Sequence, residues 1–256
     1  TLQEGEIYNQ RRVTENEKTL ASILGKYGYA NSEVKAFPIY NDKEKTVDLN
    51  FNVNPGSRVH VSQVLITGND STDDTVIRRE LRQMDGSWLS SEAIEVSQTR
   101  LNRTGYFETV DVTTENVGAT DDTVSVNTKV KERPTGSIAG GIGIGTDSGL
   151  TIQASISQNN LFGWGTRANI TSYENDYRKH MEIGYTDPYF TVDNVSLGGR
   201  LYLDKYDGDD DEDVVDYTNH TCGATFNLGY PISETWFVNY NLGIEKSKIK
   251  NTGIRF

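Results

Sequence analysis

The sequence has one cysteine, Cys222, so no internal disulfide can form and no second thiol is offered to a metal. Histidine is scarce too. His60, His180 and His220 stand far apart along the chain, and no constellation needing two of them is visible. No apolar run approaches the ~20 residues of a membrane helix. Mean hydropathy is −0.59. That excludes helical spans but not strands, because a barrel strand hides half its residues from a hydropathy average. Positive charge is in deficit, with 25 Lys and Arg against 37 Asp and Glu, a net charge of −12. Phosphate binding needs a basic face, so nucleic acid is excluded as a partner, and a polybasic grip on anionic lipid is disfavoured. The chain opens at Thr1 with neither a methionine nor a signal peptide, so its N-terminus is expected to be cut or incomplete.

Catalytic patterns are missing as well. No Ser-His-Asp or paired-carboxylate spacing stands out, so the protein is not expected to be an enzyme. The run Gly140-Gly141-Ile142-Gly143-Ile144-Gly145 lacks the G-x-G-x-x-G spacing and no helix follows, so it is not read as a nucleotide loop. Asp207 to Asp213 holds six acidic residues without the D-x-D-x-D-G frame of a calcium loop. It reads as a solvated outer loop. No metal or cofactor is expected.

What is present is alternation. Leu150, Ile152, Ala154 and Ile156 alternate with Thr151, Gln153, Ser155 and Ser157. Val195, Leu197, Leu201 and Leu203, then Cys222, Ala224, Phe226 and Leu228, then Trp236, Val238, Tyr240, Leu242 and Ile244, repeat the pattern. A period of two marks a strand with two different faces. Seven such segments follow one another after residue 135. A soluble sheet shows this pattern, and so does a membrane barrel with lipid outside and polar groups inside. The phase predicts Leu197, Leu201, Phe226, Leu228, Val238 and Leu242 outward, and Arg167, Arg178, Glu182 and Arg200 inward. Trp164, Tyr189, Phe190 and Tyr230 fall at the turns of one end, where an aromatic girdle is expected.

Residues before about 134 read differently. Asn9–Tyr27 has helical spacing at Val13, Leu20, Ile23 and Leu24, and strands are predicted over Glu33–Ile39 and Thr46–Val53. A second copy has a helix over Glu92–Asn102 and strands over Glu108–Thr114 and Thr123–Lys131. The copies align at an offset of 77: Leu24 with Leu101, Gly28 with Gly105, Thr46 with Thr123. The second copy adds a leading strand, Arg58–Thr67, and a helix capped by Ser71 or Thr72, giving the order β-α-α-β-β. The boundaries predicted are 1–56 for an incomplete module, 57–134 for a complete one and 135–256 for the strands.

Several stretches carry a family resemblance: Asp187-Pro188-Tyr189-Phe190, Gly198-Gly199-Arg200-Leu201, Gly25-Lys26-Tyr27-Gly28-Tyr29-Ala30, Arg78-Arg79-Glu80-Leu81-Arg82-Gln83-Met84, Leu101-Asn102-Arg103-Thr104-Gly105-Tyr106-Phe107 and Val130-Lys131-Glu132-Arg133. Through them the whole chain resembles the POTRA-containing outer-membrane insertase superfamily. The resemblance implies α+β POTRA modules followed by antiparallel transmembrane β-barrel strands, here about seven of a family barrel of roughly sixteen. It implies an outer-membrane location with the modules in the periplasm. It implies an insertase that needs neither ATP nor cofactor and folds nascent outer-membrane β-barrel proteins. Periplasmic lipoproteins would dock on the modules, outer-membrane lipid would surround the barrel, and periplasmic chaperones are further candidate partners. Strand pairing with the client is implied at the first barrel strand, at Ser137, Ile138, Gly140, Gly141, Ile142, Gly143, Ile144 and Gly145. Lipoprotein docking is implied at Arg78, Arg79, Arg82 and Asp85, where Asp85 stands in place of a family Glu. Two other readings stay open: a sister transporter that secretes a passenger, and a passive porin with periplasmic domains.

Overall fold

The computed structural model describes residues 2–117, 122–146, 148–208 and 217–251. The acidic run expected as an outer loop falls mostly on residues 209–216, outside the described residues. The chain divides into two compact units, Thr1–Asp70 with Ile77–Arg133, and Ser71–Val76 with Pro134–Phe256.

The first unit holds the two related modules apart from Ser71–Val76. Helix α1 (Gln10–Lys26) starts where the Asn9 side chain accepts the Arg11 N–H at 3.0 Å. It lies on the hairpin β1 (Glu33–Asn41) and β2 (Thr46–Asn54), with the Glu17 carboxylate accepting the Ala36 N–H at 2.6 Å. The second module runs β3 (His60–Thr67), α2 (Asp74–Arg78), α3 (Ser91–Thr104), β4 (Phe107–Asn116) and β5 (Thr123–Glu132). Its sheet order is β3-β5-β4, with β3 parallel to β5. Val61, Val64, Ile77, Leu101, Val110 and Val126 close its core. A buried ion pair, Arg100 to Glu80 at 2.9 Å, crosses the same interior. The repeat shows in backbone conformation: Gly28 and Gly105, 77 residues apart, both end a helix at positive φ (97° and 73°).

The start of α2 differs from expectation. Asp73 stands at its cap, with its carboxylate accepting the Thr75 N–H at 3.3 Å. Thr72 is buried and has another partner, described below.

The second unit is a seven-stranded antiparallel sheet in chain order: β6 (Gly136–Gly145), β7 (Gly149–Leu161), β8 (Thr166–Glu174), β9 (Arg178–Asp187), β10 (Ser196–Asp207), β11 (Tyr217–Pro231) and β12 (Phe237–Asn251). Residues opposite one another across a ladder share a face. Leu201 opposes Ile183 and Ala224, and Arg200 opposes Gly184 and Thr225. Followed through every ladder, the register puts Leu197, Leu201, Phe226, Leu228, Val238 and Leu242 on one face and Arg167, Arg178, Glu182 and Arg200 on the other, in the phase the sequence predicts. The polar face is cross-linked. Arg178 grips Asp204 with two hydrogen bonds of 3.1 and 2.6 Å, Arg200 faces Glu182 at 3.5 Å, and the Tyr202 hydroxyl donates to Glu245 at 2.6 Å. The apolar face is bare. Leu201, Leu203, Phe226, Leu242 and Ile244 are all exposed on it. No helix is long and apolar enough to cross a membrane among the described residues.

Candidate functional site

Strand β6 is a terminal strand of this sheet. It pairs with β7 without a break, from Gly136 opposite Gln158 to Gly145 opposite Gly149. Among the described residues its other edge has no ladder partner. Ser137 Oγ meets Ser157 Oγ at 2.6 Å across the pair, and the Asn159 N–H donates to the Thr135 carbonyl at 3.0 Å, so the strand is fastened at its start. Even positions present Ile138, Ile142 and Ile144, exposed by 83%, 78% and 88%. Odd positions carry only Ser137, Ala139, Gly141, Gly143 and Gly145. All eight residues singled out from the sequence therefore lie along one terminal strand of the described sheet.

Two of these glycines have no local reason to be glycine. A Cβ on Gly143 would meet nothing within 4 Å, and one on Gly140 only the Gln153 carbonyl oxygen at 3.8 Å. Neither has positive φ. Glycine weakens a strand by its entropy and by the packing it forgoes. The cost is met here without a packing demand at those two positions.

A contrasting glycine sits at the turn from β7 to β8. Asn160 and Phe162 both hold positive φ (58° and 53°), a costly geometry outside glycine. The buried Asn160 side chain stabilises it, accepting the Gly165 N–H at 2.7 Å and donating to Thr72 Oγ1 at 2.8 Å. The Asp73 N–H adds a bond to the Gly163 carbonyl at 3.0 Å. A Cβ on Gly163 would strike the Ser71 carbonyl oxygen. The segment Ser71–Val76 is thus latched into the strand unit. Sequence reading missed this latch, because Thr72 looks like a cap and Asn160 like a loop residue. The same turn displays Phe162 and Trp164 edge to face at 5.4 Å. At the other turns of this end Phe190, Tyr230 and Trp236 are exposed, while Tyr189 is half-buried.

The charged stretch in the second module is brought together only in part. Arg78 Nη1 lies 3.4 Å from Asp85. Arg82 folds back, its guanidinium donating to the Arg79 and Leu81 carbonyls at 3.4 and 3.5 Å. Asp85 also accepts the N–H of Val64, on the outer strand β3 of the β3-β5-β4 sheet. Its carboxylate therefore has a structural duty besides any docking role. Beside it stand two exposed side chains the sequence reading passed over, Met84 and Trp88. Arg58 stacks over the Trp88 ring at 4.1 Å and His60 meets it edge-on at 5.8 Å. A rigid aromatic within a charged rim is the composition of a protein-contact hot spot. Among the described residues no group of His, Cys, Asp and Glu could hold a metal ion.

Comparison with known proteins agrees on both units. Residues 160–255 match the model of the Omp85 superfamily domain, and residues 1–56 and 59–133 match the POTRA model, described as a surface antigen variable number repeat. The chain is 32% identical over 248 residues to the outer membrane protein assembly factor BamA of Buchnera aphidicola, covering 96% of this chain and 40% of that protein. It is 34% identical over 246 residues to the BamA of Neisseria meningitidis, covering 96% and 31%. The crystal structure of Haemophilus ducreyi BamA lacking POTRA domains 1–3 superposes with a TM-score of 0.82 at 37% identity, covering 99% of this chain and 48% of that one. The chain thus spans less than half the length of each of these relatives.

Proposed function

The chain belongs to the Omp85 superfamily of outer-membrane proteins that carry POTRA modules, and from that premise we propose that it is the module-to-barrel portion of an assembly factor that folds β-barrel proteins into the outer membrane. The observation that carries the reading is the β6 edge. It ends the described sheet, and at two of its glycines a Cβ would meet no close neighbour among the described residues. Unpaired N–H and C=O groups in lipid are costly, so this strand, when its seam pairing opens, would be a strong template for an incoming strand. Pairing through the main chain ignores side-chain identity and so suits many clients. The modules supply docking surface for a periplasmic lipoprotein at Arg78, Arg79, Arg82 and Asp85, with Met84 and Trp88 as its apolar centre. No step needs ATP, metal or cofactor.

Single cysteines from Ser137 to Thr146 in the full-length protein test this reading. Stalled clients are expected to crosslink there with a residue-by-residue register. A disulfide holding β6 to the strand across the barrel seam is expected to stop assembly. Normal client insertion with β6 locked would show that another edge admits clients.

A further inference from the structure

The apolar face of the seven-stranded sheet changes character at one end. Register places Lys179, Lys205, His220, Lys246, Lys248 and Lys250 on that face, beyond Met181, Leu203 and Cys222. This is the end opposite Gly136, where the chain enters the sheet from the modules. With the modules in the periplasm, it is the outer-leaflet end. Lys179 pairs with Glu174, and Lys205 with Asp207 at 3.0 Å. Among the described residues no carboxylate lies within ion-pair reach of Lys246, Lys248 or Lys250, which project from alternate positions of β12. Among the described residues these three lysines form a local positive patch in a chain of net charge −12.

Beneath the lysines the face is grooved, and the cause is side-chain size. Strand β11 carries Cys222 and Ala224 where its neighbours carry Leu201, Leu203 and Ile244. Small residues between large ones leave a trough along β11. One stretch of about 590 Å³ is lined by Ile183, Leu201, Ala224 and Ile244. An adjoining stretch of about 560 Å³ is lined by Lys179, His220, Lys246 and Lys248 together with the carboxylates of Glu174 and Asp204, and both share Met181 and Leu203. An apolar trough therefore runs into a rim in which the lysines outnumber the carboxylates.

We propose that this groove holds a phosphate-bearing lipid of the outer leaflet, with an acyl chain along Ile183, Leu201 and Ala224 and its phosphate on Lys246 and Lys248. Lysine binds phosphate as a point charge. Snorkelling alone accounts for lysines at a membrane boundary, but it requires no trough under them. The acidic balance of the whole chain, which argues against a polybasic grip on anionic lipid, conceals this local reversal.

The inference rests on the outer-membrane placement of this face. It is tested with the full-length protein in phosphatidylcholine nanodiscs, with and without bisphosphorylated lipid A, reading retained lipid by native mass spectrometry. The Lys246→Gln/Lys248→Gln variant is expected to retain lipid A about 25-fold less well, which is two lysine attractions of ~1 kcal/mol each at 1.4 kcal/mol per decade. The Lys246→Arg/Lys248→Arg variant keeps the charges and is expected to retain it as the parent does. Dephosphorylated lipid A should not distinguish the variants, and inorganic phosphate should not compete. Equal retention by the Gln variant would overturn the proposal, and displacement by inorganic phosphate would make this a free-anion site. Protein that enters nanodiscs yet retains no lipid A would overturn this inference alone. Protein that enters no bilayer would overturn the placement on which it rests.

Discussion

Gly163 and Gly143 are both glycines of the strand unit, yet they answer to different demands. At Gly163 φ is +80° and a Cβ would collide with the Ser71 carbonyl oxygen, so the residue is required by geometry. Gly163→Val should impair folding, seen as loss of heat-resistant mobility on cold gels. At Gly143 a Cβ would meet nothing within 4 Å. Gly143→Val should therefore fold and gain up to ~1 kcal/mol from β-propensity. If the weak edge is functional, the same variant should slow client insertion in reconstituted vesicles. Faster insertion, or none of the expected folding, would break the argument. Asp85 divides its duties in the same way. Asp85→Asn keeps an acceptor for the Val64 N–H and removes the charge facing Arg78. It should leave the module folded and still lower the yield of co-purified lipoprotein. Asp85→Lys should lower it further, and a charge reversal on the lipoprotein should restore it. Unchanged yield in both variants would remove Asp85 from the docking surface.

At the scale of elements, period-two alternation carried most of the strand unit, because a strand between lipid and polar groups has no third environment to blur its pattern. Helices α1 and α3 were legible from their apolar spacing and from the glycines that end them. The start of α2 was not. Ser71, Thr72, Asp73 and Asp74 are all cap-forming types in a row, and tertiary partners decide among them. Thr72 goes to Asn160, 88 residues away in sequence, which no local rule foresees. The candidate edge was legible as a glycine-rich strand, but which glycines lack a packing reason appears only with neighbours in place. The proposed docking face was legible as charge, while the exposed Trp88 beside it was not. The face assignment makes a prediction of its own. Leu201→Lys puts a charge on the lipid face and should destabilise the barrel by roughly 2–4 kcal/mol in a bilayer-refolding titration. Leu203→Lys, nearer the lysine belt, should cost less. Equal costs at the two positions would mean that membrane depth does not run along β10 as the register implies.

At the scale of the whole molecule, two units depend on two different solvents. The modules bury Ile77, Leu101, Val61 and Val126 against one another, a core that water drives together. The strand unit instead turns Ile138, Ile142, Leu201, Leu203 and Ile244 outward, and such a face is stable only against hydrocarbon. The three tryptophans separate along the same division. Trp88 lies in the second module, while Trp164 and Trp236 lie in turns of the sheet. Single-tryptophan forms of the full-length protein therefore report on each unit alone. In detergent micelles with rising urea, the Trp88 form should show a transition whose midpoint is indifferent to the detergent chosen. The Trp164 and Trp236 forms should show a second transition, whose midpoint moves with detergent chain length and which is lost when the detergent is diluted below micelle formation. The latch of Asn160 on Thr72 lies within the strand unit, so Asn160→Ala should lower the sheet transition by about 1–3 kcal/mol, the cost of leaving Gly165 N–H and Thr72 Oγ1 without their partner. Its effect on the Trp88 transition should be smaller. One shared transition, moving together in every detergent, would mean that the modules and the strands fold as a single cooperative body and that the division by solvent is wrong.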